Sequence, residues 1–128
     1  MLKKIKTNRI PFLDNYFITI GDTCYIPKKY FIQCQTIERF KQWSLPLFLH
    51  ENEHSKRQIE YGIKKWLFRY ITNKRFKWEE EVIGYTIEIK KRIELNFSIN
   101  RDWYFKTLKS YRMATDNQIR LFLDSLLK

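Results

Sequence analysis

The sequence predicts an α+β fold, a small antiparallel sheet packed against a central helix and two C-terminal helices. Two observations carry that prediction. Apolar residues fall on every second position in some stretches and at three- and four-residue spacing in others. The chain also holds only three Gly and three Pro and no low-complexity tract, so residues 1–128 read as a single compact domain.

The elements follow in order. A β-hairpin is expected near 16–27: Tyr16, Ile18 and Ile20 alternate with other residues, Gly21-Asp22 supplies a two-residue turn, and Thr23-Cys24-Tyr25-Ile26 runs back to Pro27. A short helix is expected at 37–43, capped by Thr36. Pro46 then reads as a break in direction. The central helix is placed at about 56–72. Ser55 and Gln58 form its capping box, and Ile59, Ile63, Trp66, Leu67 and Tyr70 form its buried stripe.

Beyond Asn73-Lys74-Arg75 the period changes. Ile83, Tyr85, Ile87 and Ile89, then Ile93, Leu95, Phe97 and Ile99, sit on alternate positions, which predicts a second hairpin near 82–99. A three-residue tip, Lys90-Lys91-Arg92, keeps both apolar sets on one face, whereas a two-residue tip would place them on opposite faces. Two helices close the chain. One covers about 102–112; the other starts at Thr115, whose capping box with Gln118 precedes Ile119, Phe122, Leu123, Leu126 and Leu127.

Charge is the strongest pointer to function. Lys and Arg number 25 against 14 Asp and Glu, for a formal +11, and four Trp, eight Tyr and ten Phe are threaded among them. The surplus lies in three stretches, 1–30, 61–80 and 101–128, while 31–60 and 81–100 balance. A single Ala and a single Val among many Ile, Lys, Asn, Phe and Tyr suggest an AT-rich genome, as in a virus or mobile element. That bias itself adds lysines but does not explain the nine arginines. Cations beside aromatic faces are what phosphates and unstacked bases can use. The sequence therefore leads to a non-enzymatic protein that binds RNA or single-stranded DNA. Its contacts would be Arg57, Tyr61, Lys64, Lys65 and Phe68 on the outer face of the central helix, Lys74, Arg75 and Lys77 after it, and Lys90, Lys91 and Arg92 at the hairpin tip. An accessory or inhibitor protein binding a larger protein or ribonucleoprotein machine is the alternative partner class. The last two helices do not read as a helix-turn-helix, because the turn lacks glycine and the final helix is poor in basic contacts.

Short motifs argue mostly by exclusion. Cys24 and Cys34 are not paired as CxxC and read as buried thiols. The basic start Met1-Leu2-Lys3-Lys4 resembles the n-region of a signal peptide, but no apolar h-region follows, and no apolar run is long enough for a membrane span. A cytoplasmic setting is expected. His50-Glu51-Asn52-Glu53-His54 matches H-E-x-x-H, in which two histidines one helical turn apart hold zinc and the glutamate activates water. Against it stand Pro46 before the motif, a helix start at Ser55 after it, the extra charge of Glu53, and the want of a third ligand. Glu79, Glu80 and Glu81 fall in a segment that reads as the approach to a strand. The sequence thus predicts no catalytic residue, no cofactor and no metal, with His50, Glu51 and His54 as the metallopeptidase alternative.

Overall fold

A computed structural model describes residues 1–127. It is an α+β structure, a three-stranded sheet set against helices. The strands are β1 (Lys4–Asn8), β2 (Ile18–Ile20) and β3 (Thr23–Pro27), in the order β1-β3-β2. The expected 16–27 hairpin is present, with β2 antiparallel to β3 and Ile20 opposite Thr23. The sheet is mixed, however, because β1 joins β3 in parallel, pairing Ile5 with Cys24. Cys24 and Cys34 are buried free thiols, packed with Leu2, Ile26, Phe40 and Phe48 in a first apolar cluster.

Helix α1 (Ile37–Trp43) lies where expected, with the Thr36 hydroxyl accepting from the Arg39 N–H. The next helix corrects the sequence reading. Helix α2 is continuous from Leu45 to Tyr61. Ser44 caps it and Pro46 sits in its first turn, where a missing N–H costs nothing. Pro46 therefore helps start the helix that carries the H-E-x-x-H motif. Ser55 and Gln58 are not caps. They are buried in mid-helix, where Ser55 Oγ donates to the Gly21 carbonyl, Gln58 Nε2 donates to the Thr19 carbonyl, and Gln58 Oε1 accepts from the Gly21 N–H. Both residues fasten α2 to the hairpin turn.

The predicted 56–72 helix is in fact two. Gly62, at φ +104°, ends α2 and opens α3 (Ile63–Thr72), a backbone angle that a side chain would oppose. The break rotates the stripe: Trp66 is buried, while Ile59 and Ile63 are 49% and 39% exposed.

The second hairpin, near 82–99, is also corrected. Asn73 caps a 21-residue helix, α4 (Lys74–Glu94), and Lys90, Lys91 and Arg92 lie in its last turns. The alternation of isoleucines misleads because glutamates occupy the buried face. Phe76, Glu80, Glu81, Gly84, Tyr85, Glu88 and Ile89 are its buried positions, and they follow the helical period. Helices α5 (Arg101–Ser110) and α6 (Asp116–Leu126) close the chain, the latter behind the expected Thr115–Gln118 capping box. Leu108, Met113, Ile119 and Leu123 pack with Tyr85, Ile89 and Tyr104 into a second apolar cluster. Among the described residues, no helix is long and apolar enough to cross a membrane.

Candidate metal centre

Helices α2 and α4 lie side by side, and the seam between them is polar. From α2 come His50, Glu51 and His54, and from α4 come Glu80, Glu81 and Glu88, all buried. Two supports hold the seam in register. Arg57 forks onto Glu80 at 2.7–3.0 Å, and Trp66 Nε1 donates to the same carboxylate at 2.6 Å, which ties α2, α3 and α4 together. Gly84 lets the helices approach: a Cβ there would stand 2.5 Å from Cδ2 and 2.6 Å from Nε2 of His50.

Helical spacing puts His50 and His54 one above the other on α2. Their Nε2 atoms are 3.0 Å apart, and Glu81 Oε1 is 3.3 Å from each. The other Glu81 oxygen accepts from the Tyr70 hydroxyl at 2.6 Å. His50 Nδ1 is 2.7 Å from Glu88 Oε1, and Glu88 Oε2 accepts from the Tyr104 hydroxyl. A carboxylate can only accept, so His50 Nδ1 carries a proton toward Glu88. Glu51 stands at the side. Its Oε1 accepts from Thr19 Oγ1 at 3.1 Å, and its Oε2 is 3.8 Å from His50 Nε2. Ligand atoms of His50, Glu51 and His54 all lie within 4.8 Å of one another.

This donor set fits a divalent metal. Zinc bonds of about 2.0–2.2 Å at tetrahedral angles separate neighbouring ligand atoms by about 3.3–3.6 Å. The two His–Glu81 distances are already at that edge, and the His–His distance needs to open only slightly. Two imidazole nitrogens and a carboxylate converge there, an arrangement that calls for positive charge, which protons on the histidines or a metal ion can supply. The electrostatics express the same demand. Burial would lower both histidines, but hydrogen bonds and charge from Glu81, joined at His50 by Glu88, override it and raise both. Burial would raise Glu81, yet His54 and His50 hold it well below the usual carboxylate range. Glu51 goes the other way: burial lifts its pKa despite both histidines. His54 Nδ1 is buried with no partner among the described residues.

A cavity of about 350 Å³ opens onto this cluster. Glu51, His54 and Glu81 line it, together with Ile18, Thr19 and Ile20 of edge strand β2 and with Leu67, Tyr70, Ile71, Lys77 and Tyr111.

The nucleic-acid candidates do not gather on one face. Arg57 is committed to Glu80. Tyr61 packs on Phe76 and its hydroxyl accepts from Arg69. Lys64, Lys65 and Phe68 are exposed together on α3. Lys74 and Arg75 are exposed at the start of α4, with Arg75 paired to Glu79, and Lys77 points into the cavity wall. At the far end of α4, Lys91 pairs with Glu94, Arg92 approaches Glu88, and Lys90 is exposed. The sequence reading named the histidines and Glu51 only as an alternative, set Glu81 aside as the approach to a strand, and did not single out Glu88. The signal of Glu81 and Glu88 is the seven-residue spacing of two glutamates on one helical face, with Gly84 between them.

Comparison with models of known families, with curated proteins and with solved structures finds no match.

Proposed function

We propose that this chain is a zinc-dependent hydrolase acting on peptide bonds, with His50, His54 and Glu81 as metal ligands and Glu51 as the general base. The observation that supports this most is the meeting of both Nε2 atoms with the Glu81 carboxylate, with Glu51 Oε2 at 3.8 Å from His50 Nε2 beside them. The objections raised by the sequence meet structural answers, the charge of Glu53 among them, since Glu53 pairs with Lys56 at 3.9 Å. The motif lies inside one helix, and a third ligand arrives from the next long one. Two His and one Glu form a known catalytic zinc set that leaves a position open for water or substrate.

A zinc held by His50, His54 and Glu81 would supply a Lewis acid to polarise the carbonyl and make water more acidic. The protein does the rest. Glu51, with a pKa raised by burial, takes a proton from the attacking water and returns it to the departing amine. Thr19 holds one Glu51 oxygen so that the other faces the cluster. Glu88, itself held by Tyr104, fixes the His50 tautomer and strengthens its ring as a ligand. The apolar part of the wall, with Ile18, Leu67 and Ile71, suits an apolar substrate side chain.

The test is elemental analysis of protein purified without chelator, followed by a fluorogenic peptide library. We expect one zinc per chain, and in Glu51→Gln the zinc stays while hydrolysis falls by about 10²–10⁴. Protein without zinc, or activity indifferent to Glu51, would sink this reading.

A second reading draws on α3. Phe68 is 71% exposed beside the exposed Lys64 and Lys65. A flat ring among cations on a wet face supports a single-stranded nucleic-acid contact there, separate from the seam.

A further inference from the structure

We propose that Lys77 is the specificity residue of this site, and that it holds a substrate carboxylate in the cavity beside the scissile bond. The proposal rests on the metallopeptidase reading and names the substrate class that reading leaves open.

Lys77 is the one cation among the described residues that line the cavity. It lies four residues before Glu81 on α4, so the two side chains share a helical face about one turn apart. The cation is therefore carried by the same rigid element as the third metal ligand. Its Nζ donates to the Tyr111 carbonyl at 3.3 Å and stands 5.3 Å and 5.4 Å from the ring centres of Tyr70 and Tyr111. An ammonium has three N–H donors, and one bond to a neutral carbonyl leaves two to be placed. No carboxylate lies within ion-pairing distance among the described residues.

That is a costly way to seat a lysine. Half-burial pushes its ammonium down from the usual value, and Glu81 only partly restores it. Glu81 cannot serve as a close counter-ion, because its oxygens are taken by the histidines and Tyr70. Most of the wall around it is apolar, including Ile18, Ile20, Leu67 and Ile71. A neutral side chain would gain nothing from a cation there, whereas a carboxylate would meet the cavity's one lysine in a mostly apolar wall, beside the charge of the metal itself. The carboxylate can belong to the end of the peptide or to an Asp or Glu side chain, and the two sources share the same recognition.

The experiment uses the zinc-loaded full chain and hexapeptides matched in pairs. One pair has Glu or Gln next to the cleaved bond; the other has a free or an amidated C-terminus. Wild type should favour the carboxylate form of one pair about tenfold or more in kcat/KM, and the pair affected names the source. Lys77→Met keeps the apolar stem and should erase that preference, raising KM for the carboxylate peptide about tenfold more than for its neutral partner. Lys77→Arg should restore most of it. Calorimetric titration with 3-phenylpropanoate and with its amide gives a second readout: the acid should lose affinity in Lys77→Met and the amide should not.

An unchanged preference in Lys77→Met overturns the proposal. So does an equal fall in kcat on every peptide, which would place the ammonium at the reacting carbonyl. If zinc and Glu51-dependent hydrolysis stand while the Lys77 variants match wild type, only this inference fails. If His50→Ala leaves zinc and hydrolysis intact, the metallopeptidase reading fails first and takes this one with it.

Discussion

Helix α4 takes part in two interiors of opposite kind. Toward α2 it buries Glu80, Glu81 and Glu88, and toward α5 and α6 it buries Tyr85 and Ile89, so that Glu88 and Ile89 are neighbours in sequence and both nearly inaccessible. The α4–α5–α6 cluster follows the ordinary logic of burial, with Leu108, Ile119 and Leu123 fully removed from water. The α2–α4 seam does the reverse. Its charges are paired and hydrogen-bonded, but apolar residues of the same volume would hold the helices together at least as well. A chain that keeps four glutamates and two histidines there gains no stability by it, and the proposed metal chemistry would be the use that offsets the cost. The contrast can be broken or sharpened by experiments on either side.

The largest effect belongs to the seam. His54→Ala should abolish stoichiometric zinc, read by elemental analysis, because it removes one of three protein ligands. Chelation of the unaltered chain should reveal what the metal replaces. His50 and His54 are raised above the ordinary 6.5, so their contribution to stability is present below that pH and is lost as pH climbs through the folded values. Glu51, raised by burial, adds a loss of the same sign that begins lower, just above 4.5, and so favours the acid end of the window. Glu81 and Glu88 are lowered from 4.5, and their contribution is lost on acidification. Chelated protein should therefore melt highest between about pH 4.5 and 6.5 and lose stability toward pH 8. The zinc-loaded form should gain stability over that upper range, since protons no longer compete for its ligands. Parallel melting curves across pH for the two forms would remove the metal from the seam.

Next comes the apolar side. Leu108→Ala should cost about 2–5 kcal/mol of unfolding free energy by denaturant titration, from lost burial and the cavity left behind. Zinc content and peptide hydrolysis should survive in the folded fraction, because nothing at Leu108 touches a ligand. Gly84→Ala is smaller in free energy and different in kind. Its new methyl meets the His50 ring at 2.5 Å, and overpacking of that sort costs about 1–3 kcal/mol. Zinc affinity should fall with it, as the ring has to turn away from the cluster. If Gly84→Ala kept full zinc while Leu108→Ala lost it, the two interiors would have been assigned the wrong way round.

The same contrast explains what was legible in the sequence. The 16–27 hairpin, α1, α5, α6 and the Thr115 capping box all read correctly, since each is set by local turn or cap chemistry and an apolar pattern that agrees with it. Helix α4 did not, because a scan for apolar periodicity sees isoleucines on every second position and counts glutamates as exposed. Placing Glu81 and Glu88 inward restores the helical period and brings a carboxylate to the two histidines in one step. Ser55 and Gln58 misled for a related reason. The pattern of a capping box is also the pattern of two polar side chains on one helical face, and here they reach across to Thr19 and Gly21. The H-E-x-x-H motif was visible throughout; its context was hidden by those two errors.

The smallest expected effect on folding lies outside both interiors, on α3. Phe68 is 71% exposed, and its truncation opens no cavity, so Phe68→Ala should change stability by no more than about 0.5 kcal/mol. Zinc content and hydrolysis should also match wild type. What should move is affinity for single-stranded RNA or DNA. A base stacked on Phe68 is worth about 1–3 kcal/mol, a loss of about five- to 150-fold in the dissociation constant of an oligonucleotide. Charge reversal at Lys64 and Lys65 should weaken binding for every sequence alike, and the salt dependence should flatten as phosphate contacts are lost. Because α3 is joined to the seam through Trp66 and Glu80 on its opposite side, a Phe68 variant that unfolds would mean that this face is covered by something in the working protein. A Phe68 variant that folds, hydrolyses and binds oligonucleotides like wild type would leave the basic surplus without a nucleic-acid role at α3, and the seam as the only functional region that the fold supports.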